Sequence, residues 1–93
     1  GIGTIAKCTL PSCKASIVVL AQGQAQPQSL AVDQDTVYWT NIVDPGTVMK
    51  CPIAGCLTPT MLADNQPTPA YIAVDGSRVY WTDGSGQVMS VAK

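Results

Sequence analysis

The 93 residues of this chain contain no histidine and no glutamate. That absence removes the commonest general base, the commonest neutral metal ligand and one of the two carboxylates that usually serve as acid or base. Acid chemistry is left to six aspartates, Asp33, Asp35, Asp44, Asp64, Asp75 and Asp83. Charge is sparse as well. Five Lys and Arg against six Asp give a net charge of -1, which supplies neither a basic stripe for nucleic acid nor a polybasic patch for anionic lipid. The longest apolar run, Ile17 to Ala21, falls far short of the about 20 residues a spanning helix needs, so no membrane span is expected. No Asn-x-Ser/Thr glycosylation acceptor occurs, because Asn41 and Asn65 are followed two positions later by Val43 and Pro67. No signal peptide is visible, so a secreted chain would have lost its export signal or carry it outside these residues.

What the chain has in abundance is itself. Ala31-Val32-Asp33-Gln34-Asp35-Thr36-Val37-Tyr38-Trp39-Thr40-Asn41 returns as Ala73-Val74-Asp75-Gly76-Ser77-Arg78-Val79-Tyr80-Trp81-Thr82-Asp83. Gly3-Thr4-Ile5-Ala6-Lys7-Cys8 returns as Gly46-Thr47-Val48-Met49-Lys50-Cys51, and in weaker form as Gly86-Gln87-Val88-Met89-Ser90-Val91. Cys13 corresponds to Cys56 and Pro27 to Pro69. A fixed period of about 40 residues marks copies of one supersecondary unit, which restricts the fold to solenoids, propellers and arrays. The offset is 43 residues at the cysteines, 42 at the Tyr-Trp-Thr core and 40 at the last glycine, so length changes are confined to two connections, which are loops.

Within one unit, β-branched and apolar residues come in short runs broken by turn residues every 8 to 12 positions, the pattern of consecutive short strands. No helical periodicity competes. The central copy divides into strands over Ser29 to Asp33, Thr36 to Asn41, Thr47 to Ile53 and Thr60 to Ala63, with tight turns at Gln34-Asp35 and Gly76-Ser77. Ser29-Leu30-Ala31-Val32 is small and apolar, as expected of a strand packed between neighbours. In the next strand Val37 and Trp39 share one face while Tyr38 and Thr40 share the other, so both faces can meet an adjacent sheet.

Val79-Tyr80-Trp81-Thr82-Asp83, preceded by Ile72-Ala73-Val74-Asp75, resembles the repeat of YWTD-type β-propellers and is similar to the NHL-like blades of secreted bacterial proteins. The resemblance covers essentially the whole chain. It implies an all-β fold of four-stranded antiparallel meanders, about two blades per chain, stacked around a channel. It also implies that Tyr38, Trp39, Asn41, Tyr80, Trp81 and Asp83 join blades. Asn41 departs from the pattern where the other copy has Asp83. A carboxylate bonding backbone amides of a neighbouring blade is then expected only at Asp83, with Asn41 acting through its carbonyl oxygen. Function does not follow from such a fold, which hosts binding, scaffolding and catalysis alike.

Labelling the strands a to d outward, residues 1–28 supply strands c and d, 29–66 a complete blade, and 67–93 strands a to c. One complete blade leaves two apolar flanks open, and stacked repeats usually need at least three units to stand alone. Homo-oligomerisation by strand exchange between chains is therefore expected. Three copies would supply a six-bladed ring with one third strand in surplus per chain, a feature that equally suits open fibre growth.

Cys8 and Cys13, and again Cys51 and Cys56, repeat a Cys-x4-Cys spacing at the connection between third and fourth strands. Two short-range disulfides are the simplest pairing, and an even count in a small repeat protein places the chain outside the cell or at its surface. The competing reading, a four-cysteine metal site, needs two loops one unit apart to converge and lacks the usual Cys-x2-Cys spacing. No cofactor is expected.

Asp33 and Asp75 end the first strand of each copy at a turn, where a side-chain acceptor can satisfy free amides. Asp44-Pro45-Gly46 reads as an ordinary turn, without the alternating oxygens that calcium requires. The aromatic pairs Tyr38/Trp39 and Tyr80/Trp81 could line a carbohydrate or peptide surface, but identical placement in both copies favours packing between units. Tyr71 is different, because its counterpart is Ser29. With Arg78 in the neighbouring turn, Tyr71 is the candidate contact to a ligand or partner, against the plainer reading that its ring fills a gap. The expected function is a non-catalytic extracellular module for self-assembly and for binding a protein or carbohydrate. The alternatives are a fibre subunit built by strand donation, and a fragment of a lactonase-like or lyase-like propeller whose catalytic blades are absent.

Overall fold

In the computed structural model, which describes residues 2–7, 18–42, 45–56 and 58–93, the short β-branched runs become nine strands. They are β1 (Ile2–Lys7), β2 (Val18–Ala25), β3 (Pro27–Val32), β4 (Thr36–Asn41), β5 (Gly46–Pro52), β6 (Thr60–Gln66), β7 (Ile72–Val74), β8 (Arg78–Thr82) and β9 (Val88–Ala92). The fold is all-β, and among the described residues no helix is long and apolar enough to cross a membrane. The strands form three open antiparallel sheets. Sheet 1 is β1-β2, sheet 2 is β3-β4-β5-β6 and sheet 3 is β7-β8-β9.

Register is the same in sheets 2 and 3. Trp39 lies opposite Met49 and Trp81 opposite Met89; Thr40 lies opposite Val48 and Thr82 opposite Val88. Because side chains alternate across a strand, this register puts Trp39 and Met49 on one face of sheet 2 and Thr40 and Val48 on the other. Sheet 2 is accordingly packed on both sides. One apolar cluster joins Ile5 of sheet 1 to Val37, Trp39, Met49 and Cys51. A second joins Tyr38 and Val48 to Val79 and Trp81 of sheet 3, with Ile72, Val74, Met89 and Val91 packed against it. Trp39, Val48, Cys51 and Val79 are fully buried.

Three of the four strands of the central unit differ in their limits from those read in the sequence, the third, β5, lying one residue earlier at Gly46–Pro52. The first strand of the central unit begins at Pro27 rather than Ser29, as β3 is a sheet edge and its opening residue needs no ladder donor. The fourth strand, β6, runs on past Ala63 to Gln66. The strand expected to lie crowded between neighbours is half open: Leu30 is 53% and Val32 51% exposed. As the outer strand of an open sheet, β3 has a partner on one side only.

The Cys51–Cys56 disulfide is present, with its Cα atoms 5.9 Å apart. It ties the end of β5 to the turn after it, where the Gly55 N–H donates to Pro52 O at 2.8 Å and Gly55 takes a φ of 106°. A loop this short contributes at the low end of the usual about 2–4 kcal/mol. The corresponding pair expected at Cys8 and Cys13 lies outside the described residues.

The crossing from one sheet to the next is also repeated. Gly3 lies against the Pro27 ring, where an added Cβ would sit 2.5 Å from Cδ, and Gly46 lies against the Pro69 ring in the same way, with Asn41 O at 2.7 Å from such a Cβ. The chain entering a new sheet thus passes over the third strand of the previous one at a point where only hydrogen fits. Gly76, in an open turn, has nothing within 4 Å of a built Cβ and no left-handed φ. Thermal melting should therefore show Gly46→Ala clearly destabilised. Gly76→Ala should be unchanged or stabilised by about 0.4–1 kcal/mol through the lower entropy of the unfolded chain.

Candidate functional site

Polar side chains recur at three places in this frame, and the first is the turn after the opening strand of each unit. Asp33 Oδ1 accepts the N–H groups of Asp35 (3.0 Å) and Thr36 (2.9 Å). Asp75 Oδ1 accepts those of Ser77 (2.9 Å) and Arg78 (2.8 Å). The second carboxylate oxygen takes a tyrosine: Tyr38 donates to Asp33 Oδ2 at 2.7 Å and Tyr80 to Asp75 Oδ2 at 2.8 Å. An Asp that ends a strand by capping the amides two and three residues on is a turn device. The tyrosine five residues on adds a neutral donor from the face of the next strand.

Lys93 crosses from sheet 3 to complete the first of these turns. Its Nζ lies 2.8 Å from Asp33 Oδ2 and 5.6 Å from the centre of the Tyr38 ring. The ammonium, followed by the Tyr38 hydroxyl and the Asp35 N–H, holds the Asp33 carboxyl far below the usual 3.8. At Asp75 the Ser77 N–H acts first, then the Tyr80 hydroxyl and the Arg78 N–H, and the pKa drops to about 2. Burial, then the bond to Asp33, pushes the Tyr38 hydroxyl up; at Tyr80 the bond to Asp75 comes first. Asp33 raises Lys93 in turn.

The second place is the joint between sheets. Buried Trp39 donates its Nε1–H to Gln24 Oε1 of sheet 1 at 3.1 Å, and Trp81 donates to Gln66 Oε1 of sheet 2 at 3.1 Å. Asn41 joins the first of these through its amide nitrogen, donating to Gln24 Oε1 and to Thr47 Oγ1, both at 3.1 Å. It therefore links sheets as a donor, not through its carbonyl oxygen as expected. Its Oδ1 has no hydrogen-bond partner among the described residues.

Asp83, the counterpart of Asn41, turns inward to its own hairpin. Its Oδ1 accepts the Ser85 N–H (3.0 Å), the Gln87 N–H (3.1 Å) and the Ser85 hydroxyl (2.8 Å). The Ser85 hydroxyl leads the groups that lower its pKa. The amides it satisfies belong to the β8–β9 connection and not to a neighbouring sheet. A carboxylate cannot donate to Gln66 Oε1 as Asn41 does to Gln24. Thr40, fully buried, supplies a further cross-link by donating to Ala70 O at 2.8 Å, just before β7.

The third place is open surface. A cleft of about 710 Å³ runs between the two aspartate turns, lined by Val32, Asp33, Gln34, Asp35, Val74, Asp75, Gly76 and Lys93. The Asp33 and Asp75 carboxylates are engaged as described, Asp35 Oδ1 accepts the Thr36 hydroxyl at 2.9 Å, and among the described residues no three His, Cys, Asp or Glu side chains stand together as a metal site would need. Tyr71 is 72% exposed and lines a separate groove of about 240 Å³ on sheet 3, with Tyr80, Thr82 and Val88. Arg78 is not beside it. The Tyr71 carbonyl bonds Thr82 at the far end of β8 from Arg78, whose guanidinium donates to Ser90 Oγ at 3.1 and 3.2 Å.

Gln24 and Gln66 went unremarked in the sequence, although they stand 42 residues apart, the offset of the two tryptophans. Repetition at that offset is the signal that finds them. No family model matches this chain, and no curated protein does.

Replacing Gln66 with Leu leaves a buried indole N–H without its acceptor. Chemical denaturation should show a loss of about 1–3 kcal/mol with no change in strand content. The aspartate turns set the pH response. A carboxyl whose folded pKa is depressed stabilises the fold above its unfolded pKa and loses that contribution as pH falls through the folded value. For Asp75 that window runs from 3.8 down to about 2. Melting temperature followed by circular dichroism should be flat from pH 7 to about 5 and fall below about 4, with Asp75→Asn flattening part of the slope.

Proposed function

We propose that the three sheets are propeller-type blades and that the chain is a non-catalytic extracellular module, built to associate with further copies and to present its turns for binding. The observation that carries this reading is the repeated joint. Each Trp is buried against the preceding sheet and is held there by a Gln acceptor on that sheet's last strand. A joint used twice within one chain is a stacking rule, and a stack of sheets exposes an apolar flank at each end until something covers it.

The strand inventory supports association. Sheet 3 has three strands and sheet 1 has two, against four in sheet 2. In the propeller reading, an open edge such as β9 is a place where a strand of another copy can pair. The Cys51–Cys56 disulfide points to an oxidising compartment, in keeping with a secreted or surface location. The aspartates support a non-catalytic role, since Asp33, Asp75 and Asp83 each commit a carboxylate oxygen to holding turn amides in place.

Size-exclusion chromatography with light scattering over a dilution series tests this. A mass three times that of one chain is the result expected for a ring of six blades, and a broad rising distribution is expected for a fibre. A monomer at every concentration would remove the self-assembly reading.

A further inference from the structure

Sheet 3 ends in a face that repeats, at Tyr80, Thr82 and Val88, one that is covered elsewhere in the same chain. On sheet 2 that face carries Tyr38, Thr40 and Val48, with Thr40 opposite Val48. On sheet 3 it carries Tyr80, Thr82 and Val88, with Thr82 opposite Val88. The environments differ sharply: Val48 is fully buried under sheet 3, whereas Val88 is 74% exposed. Beside Val88, the groove of about 240 Å³ is framed by Tyr71, Tyr80 and Thr82 and is mostly apolar in its lining residues.

What belongs on such a face is answered twice by the fold. Ile5, the counterpart of Val48, meets the Trp39 face of sheet 2, and Val48 meets the Trp81 face of sheet 3. A Trp-bearing sheet face therefore covers this β-branched position wherever the chain continues the stack.

We infer that the Tyr80–Val88 face of sheet 3 is the docking surface for sheet 2 of a second copy, with Val88 taking the place over Trp39 that Ile5 holds within one chain. This rests on the assembly reading above and specifies its contact. The strands are complementary in the same sense. Sheet 3 supplies the first three strands of a unit and ends on a β9 edge without a partner strand among the described residues, while sheet 1 supplies the last two. With β2 of the second copy paired along β9 and its β1 displaced, the composite sheet has four strands like sheet 2. The Gln24 that accepts from Trp39 stays on β2 and remains in position in that composite. Tyr71, exposed in the single chain, falls inside the contact. The partner is thus a second copy of this chain, bound head to tail, so that each association leaves a fresh Val88 face at the far end.

The test is sedimentation velocity on the full chain and on Val88→Arg, with Tyr71→Arg as a second variant on the same face. Both side chains are exposed, so far-UV circular dichroism and melting of the single chain should match the parent. The proposal expects each variant to weaken association by at least about tenfold, because a guanidinium would be placed in a dry joint. A parent that associates while both variants associate equally well would overturn this docking surface and leave the assembly reading standing. A parent that is monomeric throughout would overturn both. A photoreactive benzoylphenylalanine at position 71 fixes the geometry: cross-links to β3 or β4 of the other copy are expected, and cross-links to position 71 or β9 of the other copy would show two like faces meeting and contradict the head-to-tail joint.

Discussion

A large indole ring enclosed between two sheets has one polar atom that must find an acceptor, and this fold depends on how that requirement is met. Trp39 and Trp81 are 0% and 3% exposed, and each sends its N–H to a glutamine on the last strand of the sheet before it. The ring supplies the apolar area that holds neighbouring sheets together. The hydrogen bond fixes where along the sheet the ring sits, because an unmet donor at that depth costs roughly as much as several ordinary contacts return. One residue therefore provides both adhesion and register. The same pair recurs without change in chemistry 42 residues later.

Around that joint, the remaining interactions keep each sheet in shape to receive the next. The aspartate turn fixes the hairpin that delivers the Trp strand, and its tyrosine anchors the opposite face of that strand. Gly3 and Gly46 let the chain cross closely to the following unit. Lys93 ties the end of β9 back to the Asp33 turn, so the outer parts of sheets 2 and 3 are fastened by an ion pair as well as by the apolar cluster. The contribution of that partly exposed pair is modest and sensitive to salt.

Much of this was legible in the residues and some was not. Strand period, the order of strands and the capping role of Asp33 and Asp75 follow from alternation and turn chemistry, both local properties. The burial of Trp39 and Trp81 follows from their identical placement in two copies. By contrast, Gln24 and Gln66 carry no distinctive local signal, since glutamine is an ordinary surface residue, and only their shared offset with the tryptophans marks them. The Asp33–Lys93 pair spans 60 residues and has no counterpart among the described residues, so no repeat argument could reach it. The asymmetry between Asn41 and Asp83 was visible, but its consequence depended on which groups came within reach: a glutamine acceptor for the amide, and two hairpin amides for the carboxylate. The half-open Leu30 and Val32 show where a reading from small apolar composition failed, because the sheet is open and leaves β3 as an edge.

Hydrogen exchange at the two indole N–H groups, followed by NMR, tests the joint directly, because the chain has two tryptophans and hence two such signals. Both indole protons should be protected well beyond those of a solvent-exposed tryptophan, and Gln66→Leu should speed exchange at Trp81 while leaving Trp39 protected. Rapid exchange at both positions in the folded chain would show that the rings are not enclosed between sheets, and would contradict the account at its base.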